Sequence, residues 1–194
     1  MPNKPGYLRM FFQRTIAAIA ALFLMSACAS YKPAPAAPSS LPSQYSVSGR
    51  VAVNAAGKGY NARFNWAHQD QQDRVDISNP LGQVVARLEM APEGARFFDT
   101  DGQLHVADDI ESLSERELGW RLPAAGLRYW LLGLADPTHA ASWQEEGGAR
   151  ILLQDGWRIQ YPVVTNAGAP DKLSLKRNDL EVRIALYDWQ LAPQ

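Results

Sequence analysis

The chain has 194 residues, of which 46% are hydrophobic and 20% charged, a composition typical of one globular domain with a short appendage. The formal net charge of −1 does not favour a nucleic-acid partner, which would require a basic excess on one face. Cys28 is the single cysteine, and this excludes an intramolecular disulfide and any zinc site built on several cysteines.

Residues 1–27 have the pattern of a signal peptide. Lys4, Arg9 and Arg14 precede an uninterrupted apolar run over residues 16–25, and no acidic residue occurs in the segment. Ten helical residues span about 15 Å, which is roughly half the hydrocarbon core of a bilayer. The run is therefore too short for a permanent transmembrane helix and is typical of the apolar core of an export signal.

The export signal ends in Met25-Ser26-Ala27-Cys28, the arrangement of a lipobox: one large apolar residue, two small residues and a cysteine. Met25 stands where leucine is usual. The pattern predicts cleavage before Cys28, which would carry an S-diacylglycerol and an N-acyl group, enough lipid for stable anchoring. Ala29 lacks the carboxylate that favours inner-membrane retention, and this favours the outer membrane. An ordinary signal peptide cut nearby, leaving a free thiol, is the alternative.

A spacer separates the lipidated end from the folded domain. Residues 30–43 are rich in Ala, Ser and Pro, and such segments are semi-extended. We therefore predict three parts: a signal peptide over 1–27, a lipidated N-terminus with spacer over 28–43, and a folded domain over 44–194.

The folded domain is dominated by alternation of apolar and polar residues, which predicts half-buried β-strands. The apolar positions of these predicted strands are Tyr45, Val47, Val51, Val53; Tyr60, Ala62, Phe64, Trp66; Val75, Ile77; Val84, Ala86, Leu88, Met90; Trp157, Ile159, Tyr161; Leu173, Leu175; and Val182, Ile184, Leu186. Short turns at Asp101-Gly102, Asp155-Gly156 and Asn178-Asp179 predict an antiparallel meander with one apolar face. Such a sheet must curl or receive helices to hide that face.

Two segments have helical periodicity. Asp108-Asp109 can cap a first helix that places Ile110, Leu113 and Leu118 on one side. Pro123 can open a second helix, in which Leu127, Trp130, Leu131 and Leu134 form an apolar stripe. We expect this stripe to face the interior of the curled sheet.

One turn carries an unusual residue. Asn79-Pro80-Leu81-Gly82 fits a type I turn, which places Leu81 where a side chain normally faces solvent. Leu81 either folds back onto a neighbouring element or probes a membrane, where burial of its side chain would contribute roughly 1.5–3 kcal/mol. The residues alone leave both readings open.

No recognised catalytic or cofactor motif is present in the sequence. There is no nucleophile elbow, zinc-protease motif or P-loop. His68, His105 and His139 are scattered without metal-ligand spacing. We expect no metal, no cofactor and no enzymatic activity.

The order of several short motifs resembles the outer-membrane lipoprotein LolB family. The matching marks are Gly49-Arg50-Val51-Ala52-Val53; Tyr60, Ala62, Phe64 and Trp66; Asn79-Pro80-Leu81-Gly82; Leu122-Pro123; Leu127, Trp130, Leu131 and Gly133; Gly156-Trp157; and Ile184 with Trp189. The resemblance covers residues 44–190.

The resemblance implies a mainly β fold, a half-open antiparallel β-barrel with a few helices as a lid over a hydrophobic cavity. It implies that the protein accepts acylated lipoproteins from the periplasmic carrier LolA and incorporates them into outer-membrane phospholipid. The protein would be a monomer, lipid-anchored in the outer membrane, with its domain facing the periplasm. Leu81, flanked by Pro80 and Gly82, matches the protruding leucine that the family uses in the insertion step.

We predict that the acyl chains lie against the apolar face of the sheet and under the second helix. The predicted cavity residues are Val51, Val53, Phe64, Trp66, Val75, Ile77, Leu127, Trp130, Leu131, Trp157, Ile159, Leu175 and Ile184. A packed core would show the same alternation, so a scaffold lipoprotein for envelope assembly, without a lipid cavity, stays open as an alternative. A lipid-modifying enzyme is a weaker alternative, because the sequence shows no pattern that pairs a nucleophilic side chain with a general base.

Overall fold

The computed structural model describes residues 36–162 and 168–191, so the predicted signal peptide, Cys28 and part of the spacer lie outside the described residues. Within these ranges the chain forms eleven strands and two helices. They are β1 Gln44–Ala55, β2 Lys58–Gln69, β3 Gln72–Ser78, β4 Val84–Ala91, β5 Gly94–Phe98, β6 Leu104–Ala107, α1 Ile110–Leu118, α2 Ala124–Trp130, β7 Ala141–Glu146, β8 Ala149–Gln154, β9 Trp157–Tyr161, β10 Lys172–Arg177 and β11 Leu180–Leu191.

The strands form one antiparallel sheet in the order β6-β5-β4-β3-β2-β1-β11-β10-β9-β8-β7. Strands that are consecutive in the chain are neighbours in the sheet, except β6 and β7. Strand β1 pairs with β11 and so joins the two halves of the meander. The end strands β6 and β7 are not paired with each other, and the sheet is therefore open rather than closed into a barrel. The predicted mainly β, half-open architecture is confirmed.

One face of the sheet is apolar and buried, as the alternation predicted. Val47, Trp66 and Leu175 are buried on this face, whereas Arg50 and Arg63 lie exposed on the other. Gly49 belongs to the buried face and pairs directly with Phe64 on β2. A Cβ at Gly49 would collide with the Phe64 ring, so glycine is what allows this ring to approach the β1 backbone.

A bulge changes the predicted face at the start of β4. Ile77 pairs with Ala86 whereas Ser78 pairs with Val84, so β4 has one extra residue at this point. An extra residue shifts the alternation of a strand by one position. Val84, which the alternation placed among the apolar positions facing inward, is instead 54% exposed.

Both helices form where the sequence predicted, but α2 is shorter than its predicted apolar stripe, which extended to Leu134. The Asp109 side chain accepts a hydrogen bond from the Ser112 backbone N–H at 2.7 Å and caps α1. Pro123 precedes α2, which begins one residue later than predicted, at Ala124. Helix α2 ends at Trp130, and Leu131 directly after it is also fully buried.

Two tyrosine hydroxyls fix the end of α2 to the sheet. The Tyr45 hydroxyl donates to the Arg128 carbonyl and the Tyr161 hydroxyl donates to the Trp130 carbonyl, both at 2.9 Å. The last carbonyls of a helix lack a partner within the helix, and the Tyr45 hydroxyl supplies one for the Arg128 carbonyl. The Trp130 carbonyl accepts both the Tyr161 hydroxyl and the Gly133 backbone N–H, the latter at 3.0 Å. Burial raises the pKa of both tyrosines, which keeps their hydroxyls protonated as donors.

A buried carboxylate joins the same helix to strand β3. One oxygen of Asp73 accepts a hydrogen bond from the Trp66 indole at 2.8 Å and lies 2.8 Å from Nδ1 of His68. The other oxygen lies 2.6 Å from a guanidinium nitrogen of Arg128 in α2. Asp73 is fully buried, so its charge needs these partners to remain inside the fold.

A buried amide holds the segment that follows α2. The Gln154 side-chain oxygen accepts from the Trp130 indole at 2.9 Å and from the Asp136 backbone N–H at 3.0 Å. Its amide nitrogen donates to the Asp136 carbonyl at 2.8 Å. Helix α2 is thus held at its end by β1, β3, β8 and β9.

Replacement of Asp73 by Asn should lower the free energy of unfolding by about 3 kcal/mol. Breaking a buried ion pair costs about 3–5 kcal/mol because one charge stays buried without its partner, and Arg128 retains some contact with water. Urea unfolding followed by tryptophan fluorescence measures the change. Arg116→Gln removes an arginine that is half exposed and should shift stability by less than about 0.5 kcal/mol. Equal stability of the two variants would contradict the role assigned to Asp73.

Candidate functional site

A cavity of about 100 Å³ lies between the apolar face of the sheet and helix α2. Its wall consists only of aliphatic and aromatic residues and proline: Val51, Val53, Phe64, Trp66, Val75, Ile77, Leu88, Trp120, Leu122, Pro123, Leu127, Leu131, Leu175, Val182 and Ile184. A cavity with such a wall excludes water and favours apolar ligands.

The structure brings together most of the residues that the sequence assigned to a cavity. Ten of the thirteen line this space, from both the sheet and α2. The other three, Trp130, Trp157 and Ile159, are fully buried in the core cluster and do not line it. The alternation of β4 and β11 also includes Leu88 and Val182, which line the wall. The wall also includes Trp120, Leu122 and Pro123. These residues lie in the loop before α2, where no periodic pattern of apolar residues predicts burial.

The cavity is small for a lipid chain. A space of about 150 Å³ holds a single benzene molecule, so about 100 Å³ accommodates only a short piece of an acyl chain. A whole chain therefore requires α2 or the loop before it to move away from the sheet. The side-chain hydrogen bonds between the sheet and α2 involve residues 128 and 130 at the C-terminal end of the helix. Within the described residues, no such hydrogen bond to the sheet holds the N-terminal end of α2, where Pro123 lines the cavity.

The turn between β3 and β4 presents its leucine to solvent. The Asn79 side-chain oxygen accepts from the backbone N–H groups of Leu81 and Gln83 at 3.0 and 3.1 Å. The Asn79 carbonyl accepts from the Gly82 N–H at 2.9 Å, and Gly82 has the positive φ of 87° that favours glycine. Leu81 is 86% exposed, so it does not fold back onto a neighbouring element.

The turn between β5 and β6 has the same hydrogen bonds with a polar residue at the tip. The Asp99 side chain accepts from the N–H groups of Asp101 and Gln103, and the Asp99 carbonyl accepts from that of Gly102. Asp101 therefore occupies the position that corresponds to Leu81. This turn geometry is compatible with an aspartate at that place, and folding does not explain the leucine.

Other apolar side chains are exposed at the same end of the sheet as Leu81. Ser78, which precedes the turn, pairs with Val84 on one side and with Arg63 on the other. Tyr60 lies three residues beyond Arg63 toward this end, and both Tyr60 and Val84 are exposed. The tip of the sheet therefore combines three exposed apolar residues.

The histidines of the described residues lie beside carboxylates. Across 36–162 and 168–191, no three His, Cys, Asp or Glu side chains are grouped as metal ligands would be. His68 bonds to Asp73, and His105 lies between Asp99 and Glu117 at 3.1 and 3.2 Å. No helix within those ranges is long and apolar enough to cross a membrane.

Comparison with known proteins identifies the family. The profile of the family "Outer membrane lipoprotein LolB" matches residues 43–189. Outer-membrane lipoprotein LolB of Chromobacterium violaceum is 33% identical over 91% of this chain and 99% of its own length, and that of Thiobacillus denitrificans is 33% identical over 93% and 100%. Among solved structures, a LolA superfamily protein from Nitrosomonas europaea is 8% identical, covering 78% of this chain and 87% of its own, with a TM-score of 0.45. The chain therefore belongs to the outer membrane lipoprotein LolB family.

Proposed function

We propose that this outer-membrane lipoprotein receives acylated lipoproteins from the periplasmic carrier LolA and incorporates them into the outer membrane. The observation that carries the proposal is the wholly apolar cavity under α2 in a member of this family. Acyl chains would enter between the sheet and the helix, and the polypeptide of the cargo would stay outside.

Transfer of acyl chains needs affinity and not a reactive group. Each CH₂ group removed from water contributes about 0.8 kcal/mol, so an acyl chain gains most of its binding free energy from the cavity wall. Direction then follows from relative affinity, because each tenfold difference between donor and acceptor corresponds to about 1.4 kcal/mol. We propose passive transfer, with no cofactor and no catalysed step.

Leu81 would bring the cavity to the bilayer. Its side chain could contribute roughly 1.5–3 kcal/mol on entering lipid, which is too little to hold a protein on a membrane. The lipid on Cys28 would supply that attachment, and the spacer before residue 44 would let the domain approach the surface. Leu81 would then orient a molecule that is already tethered, acting as a monomer.

A photoreactive group in place of Phe64 or Leu127 should form adducts with the acyl chains of a bound lipoprotein. Both residues line the cavity, on the sheet and on α2 respectively. The same group in place of Asn65, which lies on the opposite face of β2, should form none. Mass spectrometry of the crosslinked peptides measures the adducts. An absence of lipid adducts at Phe64 and Leu127 would favour a packed core and the scaffold alternative.

Replacement of Leu81 by Glu should leave cargo binding unchanged and reduce insertion into vesicles by at least about tenfold. The corresponding turn already folds with a carboxylate at this position, so the fold should tolerate the change. A charged side chain enters lipid only at a cost of several kcal/mol, which removes the membrane contact. Cargo release into vesicles is the measurement.

Val106→Glu is the matched control for this substitution. Val106 is 60% exposed on β6, away from the turn, and its replacement should not alter insertion. Normal insertion by the Leu81→Glu protein would contradict the membrane role of the turn.

A Cys28→Ala protein should still bind acyl chains while losing its fixed place on the membrane. Cys28 lies in the predicted lipobox and outside the folded domain, so its loss should leave the cavity intact. Membrane fractionation and displacement of a fluorescent fatty acid measure the two properties separately. Retention of outer-membrane anchoring by the variant would show that Cys28 is not the lipid attachment site.

A further inference from the structure

The outer face of the sheet, opposite the acyl cavity, contains a groove of about 680 Å³ with basic walls. Arg50, Arg63, Lys172 and Arg183 line it, and Pro80 of the Leu81 turn lines it too. The groove therefore reaches the residue next to the exposed leucine. Nothing in the transfer of acyl chains described above uses these four cations.

Strand register places three of the cations on one row. Arg50 on β1 pairs directly with Arg63 on β2, and both Arg50 and Lys172 pair with Ala185 on β11. Like charges directly opposite each other on a sheet are destabilising. The arrangement is unfavourable for the fold alone and becomes favourable when an anion lies between the charges.

The charge of the groove is largely unneutralised. Arg183 lies 2.9 Å from Glu181, but Arg50, Arg63 and Lys172 form no salt bridge with any residue in the described ranges. The floor between them consists of the small residues Ala52 and Ala185. Small residues between long cationic side chains leave space for a group the size of a phosphate.

We propose that this groove binds the phosphate groups of anionic phospholipids in the membrane that the Leu81 turn enters, an inference that rests on the proposed membrane role of Leu81. Arginine is suited to this task because its guanidinium can donate two parallel hydrogen bonds to one phosphate. Basic side chains near an anionic bilayer strengthen binding, and the attraction is screened within about 10 Å at 0.1 M salt. The groove would hold the sheet against the surface while Leu81 enters the acyl region.

The test uses the full acylated chain, reconstituted into vesicles of phosphatidylcholine alone or with one third phosphatidylglycerol. A dansyl-labelled phosphatidylethanolamine, present equally in both, accepts energy from the six tryptophans and reports how closely the domain approaches the bilayer. We expect greater transfer with phosphatidylglycerol at low salt, and loss of the difference at high salt. The Arg50→Gln/Arg63→Gln double variant should lose at least half of the phosphatidylglycerol-dependent increase.

Arg116→Gln/Arg121→Gln is the matched control, because it removes two exposed charges from the α1 region and should keep the whole increase. An increase that persists in the Arg50→Gln/Arg63→Gln protein overturns the proposal, as does the absence of any effect of phosphatidylglycerol. Binding of polyglutamate to the same proteins tests an acidic protein as the alternative partner. If Arg50→Gln/Arg63→Gln loses polyglutamate binding but keeps the phosphatidylglycerol-dependent increase, the groove is a surface for an acidic protein and the proposal is wrong.

Two further measurements separate this proposal from the proposed function. Leu81→Gln, which leaves the net charge unchanged, should keep the phosphatidylglycerol-dependent approach while failing to insert cargo. Arg50→Gln/Arg63→Gln should still insert cargo into vesicles of phosphatidylcholine alone. Insertion of cargo by Leu81→Gln at the rate of the parent protein would contradict the membrane role of Leu81. Equal energy transfer from Arg50→Gln/Arg63→Gln on both kinds of vesicle at low salt would support phosphate binding by the groove.

Discussion

The apolar inner face of an open sheet is the constraint on which the rest of this structure depends. Because β6 and β7 do not pair with each other, the sheet does not enclose its own side chains, and another part of the chain must cover them. The cover is α2 with the loop before it. A helix of seven residues is unstable alone in water, so α2 owes its stability to the sheet beneath it.

The polar bonds that hold α2 to the sheet are concentrated at one end of the helix. Its polar ties to the sheet, through Tyr45, Tyr161 and Asp73, involve residues 128 and 130 near its end. About a dozen CH₂ groups would contribute roughly 10 kcal/mol on entering an apolar site, more than the 3–5 kcal/mol typical of one buried ion pair. In the proposed function, acyl chains would replace the apolar contacts of α2 with the sheet, and the Asp73 network would hold the end of the helix about which it moves.

Alternation of apolar and polar residues was sufficient to predict the antiparallel sheet and its buried face, which includes most residues of the cavity wall. The half-open form and the cavity itself were implied only by the family resemblance. Alternation failed where a local irregularity or a buried charge decides the structure. The bulge in β4 reverses the face of Val84, and no residue type announces a bulge. Asp73 and Arg128 resemble surface residues in sequence, because burial of a charge depends on partners distant in the chain. Loop residues such as Trp120 enter the wall through tertiary packing, without a period.

Two features remain that the fold does not require, and they lie close together. The turn with Asp101 at its tip shows that the hydrogen bonds around Leu81 form equally well with a polar residue. Likewise, the positive charges of Arg50 and Arg63 lie directly opposite each other on neighbouring strands and repel each other, which a neutral pair would not do. An exposed leucine is unfavourable in water, and so is an unneutralised cationic row on a sheet. A bilayer of anionic phospholipids has an apolar interior and negatively charged headgroups. The leucine would be favourable in such an interior, and the cations would be favourable beside such headgroups.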